Sequence, residues 1–268
     1  MTPAEAAELR GRLVFSNSQT FGRMGALSYY HLGKQAAAGA SWFISEELRW
    51  ALGWWRSHVA DAKPRRISTG LQRPCVHLFT DGSCDPGPQH ATGIRSGYGA
   101  VLYDPEDGAL GMFGGYLGDE VFELLSNAGE KQQIVGQAEL IPCLAAKQVW
   151  RKRLRGRLVV CYIDNDAARY GLIKGSSPTR DSAWLINEFW RLEVGAESTT
   201  WVDRVPSASN CADHPSRGRW RILPASSMKA VRVEISPSFE KKLASQWRRA
   251  TSSGTLGPAP LYGTSRTH

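Results

Sequence analysis

The stretch Val76-His77-Leu78-Phe79-Thr80-Asp81-Gly82-Ser83 constrains the fold most. Val76, Leu78 and Thr80 alternate with His77, Phe79 and Asp81, between Pro74 and the breakers Gly82, Pro86, Gly87 and Pro88, so the run predicts a strand with a carboxylate at its polar end. Gly97 to Tyr103 predicts a second strand, paired antiparallel to the first across a loop over 84–96. Arg157 to Ile163 is a near-continuous apolar run, as in a central strand covered on both faces, and it also ends in an aspartate, Asp164. Between these strands, Gln137 to about Trp150 has helical spacing, with Leu140, Leu144, Val149 and Trp150 near one face and Glu139 in the first turn, where the helix dipole favours negative charge. Thr200 to Val205 predicts a short strand, and the turn 206–213 leads into a short helix with Asp213 near its start and Ser209 or Asn210 as cap. Asp166 competes with Asp164, but its place two residues past the strand suits the start of the next helix, with Asn165 as cap.

Thr80-Asp81-Gly82-Ser83-Cys84, Ala138-Glu139-Leu140, Tyr162-Ile163-Asp164-Asn165-Asp166 and Asn210-Cys211-Ala212-Asp213, in this order, resemble the four motifs of ribonuclease H. The resemblance covers roughly residues 74–220 and implies an α/β fold, a mixed five-stranded sheet with flanking helices. It implies catalytic and metal-binding roles for Asp81, Glu139, Asp164 and Asp213, which would hold two Mg2+ ions, with Mn2+ as a substitute, against an RNA–DNA hybrid. Carboxylates suit that task because Mg2+ is a hard ion that prefers oxygen ligands, and paired ions activate water and stabilise the leaving oxygen. Ser83, Asn165, Asn210 and Arg217 are the implied nucleic-acid contacts. The wording around Trp201-Val202, Val205-Pro206-Ser207, Ala212-Asp213 and Ser216-Arg217 is similar to ribonuclease H modules of retroelement reverse transcriptases, which makes an upstream polymerase domain a second implied partner. Two departures stand out: the loop 205–209 lacks the histidine many members carry there, although His214 follows Asp213, and residues 118–127 look like a short inserted helix. An inactive nucleic-acid-binding module on the same fold is the alternative reading.

The remaining chain predicts a helical segment over 1–62, a Pro- and Gly-punctuated basic linker over 63–73, and a basic C-terminal extension over 221–268. In the first of these, Leu48, Leu52, Trp55 and Val59 mark an amphipathic helix. The pieces Leu9 to Phe15 and Phe21-Gly22-Arg23 resemble the segment joining polymerase to ribonuclease H in some retroelements, but no Tyr-x-Asp-Asp turn precedes residue 74, so polymerase activity is not expected. In the extension, Met228 to Ile235 alternates like a strand, Ser238 to Arg249 predicts a basic helix, and 250–268 is rich in Ser, Thr, Gly and Pro, the composition of a disordered tail.

Net charge is +4 over residues 1–70, −3 over 71–212 and +7 over 213–268, as expected when basic flanks offset the repulsion of phosphate by an acidic pocket. The run Arg151-Lys152-Arg153-Leu154-Arg155-Gly156-Arg157 has two readings, a phosphate-binding surface or a solvated helix C-terminus. Five cysteines without a Cys-x-x-Cys pair argue against a disulfide framework or zinc site. With no run of 18 apolar residues and no signal-peptide pattern, they predict an intracellular protein, nuclear or cytoplasmic, without membrane association.

Overall fold

The computed structural model describes residues 1–19, 23–60, 64, 73–87, 93–126, 134–220, 230–236 and 238–252. The expected linker lies almost wholly outside these residues, as does the tail 253–268. The chain divides into two compact units, Met1–Ile67 with Ser245–His268, and Ser68–Ala244.

The first unit contains helices α1 (Pro3–Gln19), α2 (Ala26–Gln35) and α3 (Glu46–Ala60). A reciprocal capping box starts α1: the Glu5 amide donates to Thr2 Oγ1 at 3.2 Å and the Thr2 amide to Glu5 Oε2 at 2.7 Å. The Leu48 amide donates to Ser45 Oγ at 3.1 Å, which starts α3. The buried residues of α3 are Leu48, Trp50, Ala51, Trp54 and Trp55, Leu52 is only half-buried, and the Val59 side chain of the expected stripe lies outside the described residues. The bulk of adjacent Trp54 and Trp55 sets the inward face.

The second unit is built on strands β1 (Val76–Pro86), β2 (Ile94–Asp104) and β3 (Ala109–Tyr116), followed by helices α4 (Asp119–Ser126), α5 (Val135–Val149) and α6 (Arg151–Leu154). Then come β4 (Leu158–Ile163), α7 (Asp166–Lys174), α8 (Arg180–Ala196), β5 (Thr199–Arg204), a 3-10 turn (Ser207–Ser209), α9 (Asp213–Ser216), β6 (Ala230–Arg232) and the first residues of α10 (Ser238–Ser252), which from Ser245 on is counted with the first unit. The sheet order is β5-β4-β1-β2-β3-β6; β1, β2 and β3 pair antiparallel, while β4 runs parallel to β1, β5 to β4 and β6 to β3. Six strands rather than five therefore form the sheet. The sixth comes from the alternating stretch after Met228, and the Val233 amide extends it by donating to Met112 O at 2.8 Å.

The side-chain alternation of β1 decides what each face carries. Thr80 meets Cys143 of α5 at 3.4 Å, so Val76, Leu78 and Thr80 face α5 and are fully buried. His77, Phe79, Asp81 and Ser83 point to the other face, where Val101, Leu110, Met112 and Ala212 form a small core flanked by Phe79, Tyr103 and Trp220. Behind α5 lies a buried polar knot: Lys147 Nζ pairs with Glu193 and donates to Thr200 Oγ1 at 2.6 Å and Ser198 Oγ at 3.2 Å. Trp184 and Trp190 of α8 are core residues, whereas Trp201 on β5 is 70% exposed.

Candidate metal centre

Asp81, Glu139 and Asp164 come together, each offering a carboxylate oxygen within 4.8 Å of the others. Two come from the sheet by register. Phe79 of β1 is opposite Tyr162 of β4 in a parallel pair, so Asp81 and Asp164, two residues further on, leave neighbouring strands at the same level and on the same face. Glu139 arrives from the first turns of α5, and Gly82 lets it come close. A Cβ at Gly82 would lie 2.4 Å from the Ala138 carbonyl carbon and the Glu139 nitrogen, so only glycine allows this approach of strand to helix. Pro142, four residues after Ala138, has no N–H to give the Ala138 carbonyl, which loosens the helix at this contact.

Asp81 is oriented from α9. Ser216 Oγ donates to Asp81 Oδ2 at 2.5 Å, and Asn210 Nδ2 donates to the Thr80 carbonyl at 3.0 Å and towards Asp81 Oδ1 at 3.4 Å. Ser83 Oγ donates to the Ser216 carbonyl at 3.1 Å. Backbone meets backbone here: a Cβ at Gly99 would lie 2.4 Å from the Ser216 nitrogen, and one at Gly114 2.1 Å from the Pro215 oxygen.

Crowding and burial set the electrostatics. Glu139 is pushed up to about 9, chiefly by lost hydration and then by repulsion from Asp81 and Asp164, with the Gly82 amide opposing. Asp81 is raised to about 6, again chiefly by burial; the Ser216 hydrogen bond opposes this, and the charges of Asp164 and Asp213 add to it. Among the described residues, Glu139 Oε2 and Asp164 Oδ1 are buried with no hydrogen-bond partner. Unpartnered acceptors of this kind cost free energy that a cation recovers, and a donor set made only of oxygens fits a hard divalent ion.

The other residues singled out in the sequence lie around this centre in different states. Asp213 stands outside the three-carboxylate cluster: its Oδ1 accepts from Arg217 Nε at 2.8 Å. Arg217 Nη1 also pairs with Asp85. Asn165 caps α7, accepting from the Ala168 amide at 3.0 Å, and Asp166 is the first residue of α7, paired with Arg169 at 2.9 Å rather than with the cluster. Ser83 and Asn210 are buried and hydrogen-bonded within the protein. His214 lies on α9, outside the cluster. The basic run at 151–157 is divided: Arg157 is 3% exposed and grips Asp104 with both Nη atoms at 2.9 and 3.1 Å, and Arg153 pairs with Asp104 and Asp107. In the sequence Ser216 figures only in the retroelement-like wording, with no role assigned, and Arg95 not at all. The guanidinium of Arg95 lies 4.1 Å over the Tyr116 ring, and the Tyr116 hydroxyl donates to the Arg217 carbonyl at 2.9 Å.

Strands β1 to β5 make the mixed five-stranded sheet implied by the motif resemblance, with acidic residues at the ends of β1 and β4 and in the intervening helix. This sheet, with its acidic residues so placed, agrees with the ribonuclease H resemblance of the four motifs. Among solved structures, the chain is similar to RNase H1 from the halophilic archaeon Halobacterium salinarum NRC-1, with 19% identity over 54% of this chain and 96% of that one, at a TM-score of 0.41. It is also similar to LC11-RNase H1 in complex with RNA/DNA hybrid, with 14% identity over 54% of this chain and 95% of that one, at a TM-score of 0.41. The prototype foamy virus protease-reverse transcriptase is similar at 12% identity over 59% of this chain and 22% of that one, at a TM-score of 0.41. No protein-family model matches the chain, and no curated protein sequence matches it significantly. Among the described residues no helix is long and apolar enough to cross a membrane.

Proposed function

We propose that the chain is a ribonuclease H-type endonuclease, derived from a retroelement reverse transcriptase, that hydrolyses the RNA strand of RNA–DNA hybrids with two divalent ions. The supporting observation is the convergence of Asp81, Glu139 and Asp164, from three separated motifs, within 4.8 Å around buried, unpartnered carboxylate oxygens. These three residues would hold the ions, with Asp213 as the fourth ligand. Mg2+ suits the oxygen-only donors and Mn2+ can replace it. Bound there, the ions supply activation of a water nucleophile and stabilisation of the leaving oxygen, giving a 5′-phosphate and a 3′-hydroxyl.

The protein's own residues prepare the site. Ser216 and Asn210 fix the two oxygens of Asp81, so that ligand is oriented before substrate arrives. Glu139, held protonated by burial, releases its proton when a cation replaces the missing solvation. Arg217, half-buried and paired with Asp213 and Asp85, is the proposed phosphate contact, and Asn165, the cap of α7 directly after Asp164, is a second. Ser83 and Asn210 serve the same substrate indirectly, by holding the α9 backbone and Asp81.

The second reading, a module that binds hybrids without cutting them, is favoured by the engagement of Asp213 with Arg217. Incubating the full chain with labelled RNA–DNA hybrid, duplex DNA and duplex RNA in Mg2+, Mn2+ or chelator decides between them. The expected result is metal-dependent cleavage of the hybrid's RNA strand alone, lost in Asp81→Asn and Asp164→Asn while hybrid binding persists. Equal cleavage by these variants would sink the metal-site reading, and binding without cleavage in either metal would establish the second.

A further inference from the structure

The ion pairs around Arg217 carry an inference that rests on the proposed function. One guanidinium joins two carboxylates: Nε donates to Asp213 Oδ1 at 2.8 Å and Nη1 pairs with Asp85 Oδ1. All three side chains are about a third exposed, with values of 32%, 37% and 29% for Arg217, Asp213 and Asp85, so solvent and ligands reach them. Asp213 is nonetheless next to the metal centre. Ser216 Oγ lies 2.9 Å from the Asp213 carbonyl as well as 2.5 Å from Asp81 Oδ2, to which it donates, so the Asp213 backbone is within one side-chain length of the cluster. Its carboxylate is outside the cluster and is engaged by Arg217. A second cation stands at the same corner. Arg95 is the antiparallel partner of Asp85, stacks on Tyr116, and has a buried Nε with no partner among the described residues.

We propose that Arg217 holds Asp213 out of the metal site until a phosphate of the nucleic acid takes the guanidinium, so that the fourth carboxylate is delivered only when substrate is bound. A guanidinium fork matches phosphate in a bidentate, charge-assisted geometry, so phosphate competes directly for the donors now spent on Asp213 and Asp85. Arg217 is thus a positioning residue that couples substrate binding to completion of the metal site. The coupling is reciprocal, so metals that recruit Asp213 free Arg217 for phosphate.

The test titrates Mn2+ into the full chain without nucleic acid, by calorimetry, and measures hybrid binding separately in chelator, where no cleavage occurs. In Arg217→Gln the weaker Mn2+ equivalent should tighten by about two- to five-fold, the value of a partly exposed ion pair, while the stronger equivalent is unchanged. The same variant should bind hybrid more weakly by about the same factor. Arg217→Lys, which keeps the charge but loses the fork, should fall between parent and Arg217→Gln in both measurements. A pair that merely stabilised the fold would lower melting temperature and leave the weaker equivalent unchanged or looser. That result, in either variant with the stronger equivalent intact, overturns the proposal while sparing the metal site. If the parent binds no Mn2+, or Glu139→Gln binds it as well as the parent, the metal-site reading and this inference both fall.

Discussion

Glu139→Gln separates what the carboxylate costs the fold from what it gives the site. The carboxyl is raised from 4.5 to about 9 by burial and by its acidic neighbours. A group raised in the folded state contributes stability that is full below its unfolded value and lost as pH climbs through the folded one, so the metal-free parent weakens steadily between those limits. At 1.36 kcal/mol per unit, the loss between about pH 5 and about pH 8 is at most about 4 kcal/mol. Glutamine keeps the shape and does not ionise. In chelator the variant should therefore match the parent near pH 5 and exceed it near pH 8 by about 1 to 4 kcal/mol, the lower figure applying if water partly solvates the ionised group. Urea unfolding followed by tryptophan fluorescence at the two pH values measures this. Mn2+ at about 100 times its Kd should cut the variant's advantage by about 2.7 kcal/mol, because it stabilises the parent alone. A variant that is less stable than the parent at pH 8 in chelator, or whose advantage does not change with pH, would refute the claim that Glu139 is a carboxyl that burial disfavours ionising until a cation binds.

Three further outcomes follow from the packing. Lys147→Met, which leaves Glu193 buried without its cation, should destabilise by about 3 to 5 kcal/mol, and adding Glu193→Leu should recover much of it; denaturant midpoints report both. Gly82→Ala places a methyl against the Ala138–Glu139 peptide and should cost about 1 to 3 kcal/mol while displacing Glu139, so Mn2+ affinity measured by calorimetry should fall even where the far-ultraviolet circular dichroism is unchanged. Ser216→Ala removes a hydrogen bond that lowers the Asp81 pKa, so the acid limb of Mn2+ binding against pH should move upward from about 6; an unmoved limb would remove Ser216 from the control of Asp81.

The two sheet aspartates are legible in the sequence because alternation and a polar terminus place a residue on a known face at a known end of a strand. The parallel pairing that brings Asp81 and Asp164 level is a tertiary choice that alternation does not encode. Strand β3 is not legible. Ala109–Tyr116 contains Gly111, Gly114 and Gly115, which blur the apolar alternation, and two of these glycines serve tertiary contacts, with Trp150 and Pro215, that no local pattern encodes. The disposition of Asp213 depends on Arg217, whose other partner, Asp85, is 132 residues from it in sequence, a choice of ion pair beyond the reach of spacing. Similarly, a run of seven mostly basic residues looks uniform in sequence, yet Arg157 is buried against Asp104 and the run does not act as one surface.

Strand β6 spans three residues, yet it covers part of an edge that would otherwise be open to a strand of another copy. A strand margin with unpaired N–H and C=O groups is a template for another chain. On the β3 side that template is filled by Ala230–Arg232 and the Val233 amide. The opposite margin, β5, is short and carries exposed Asp203 and Arg204, charges that discourage a neighbouring strand from docking. Trimming the chain before Ala230 would leave the eight-residue β3 open along its length. Its glycines present little side-chain bulk to a newcomer, so such a fragment would gain a self-adhesive edge, and its solubility would become a question of concentration.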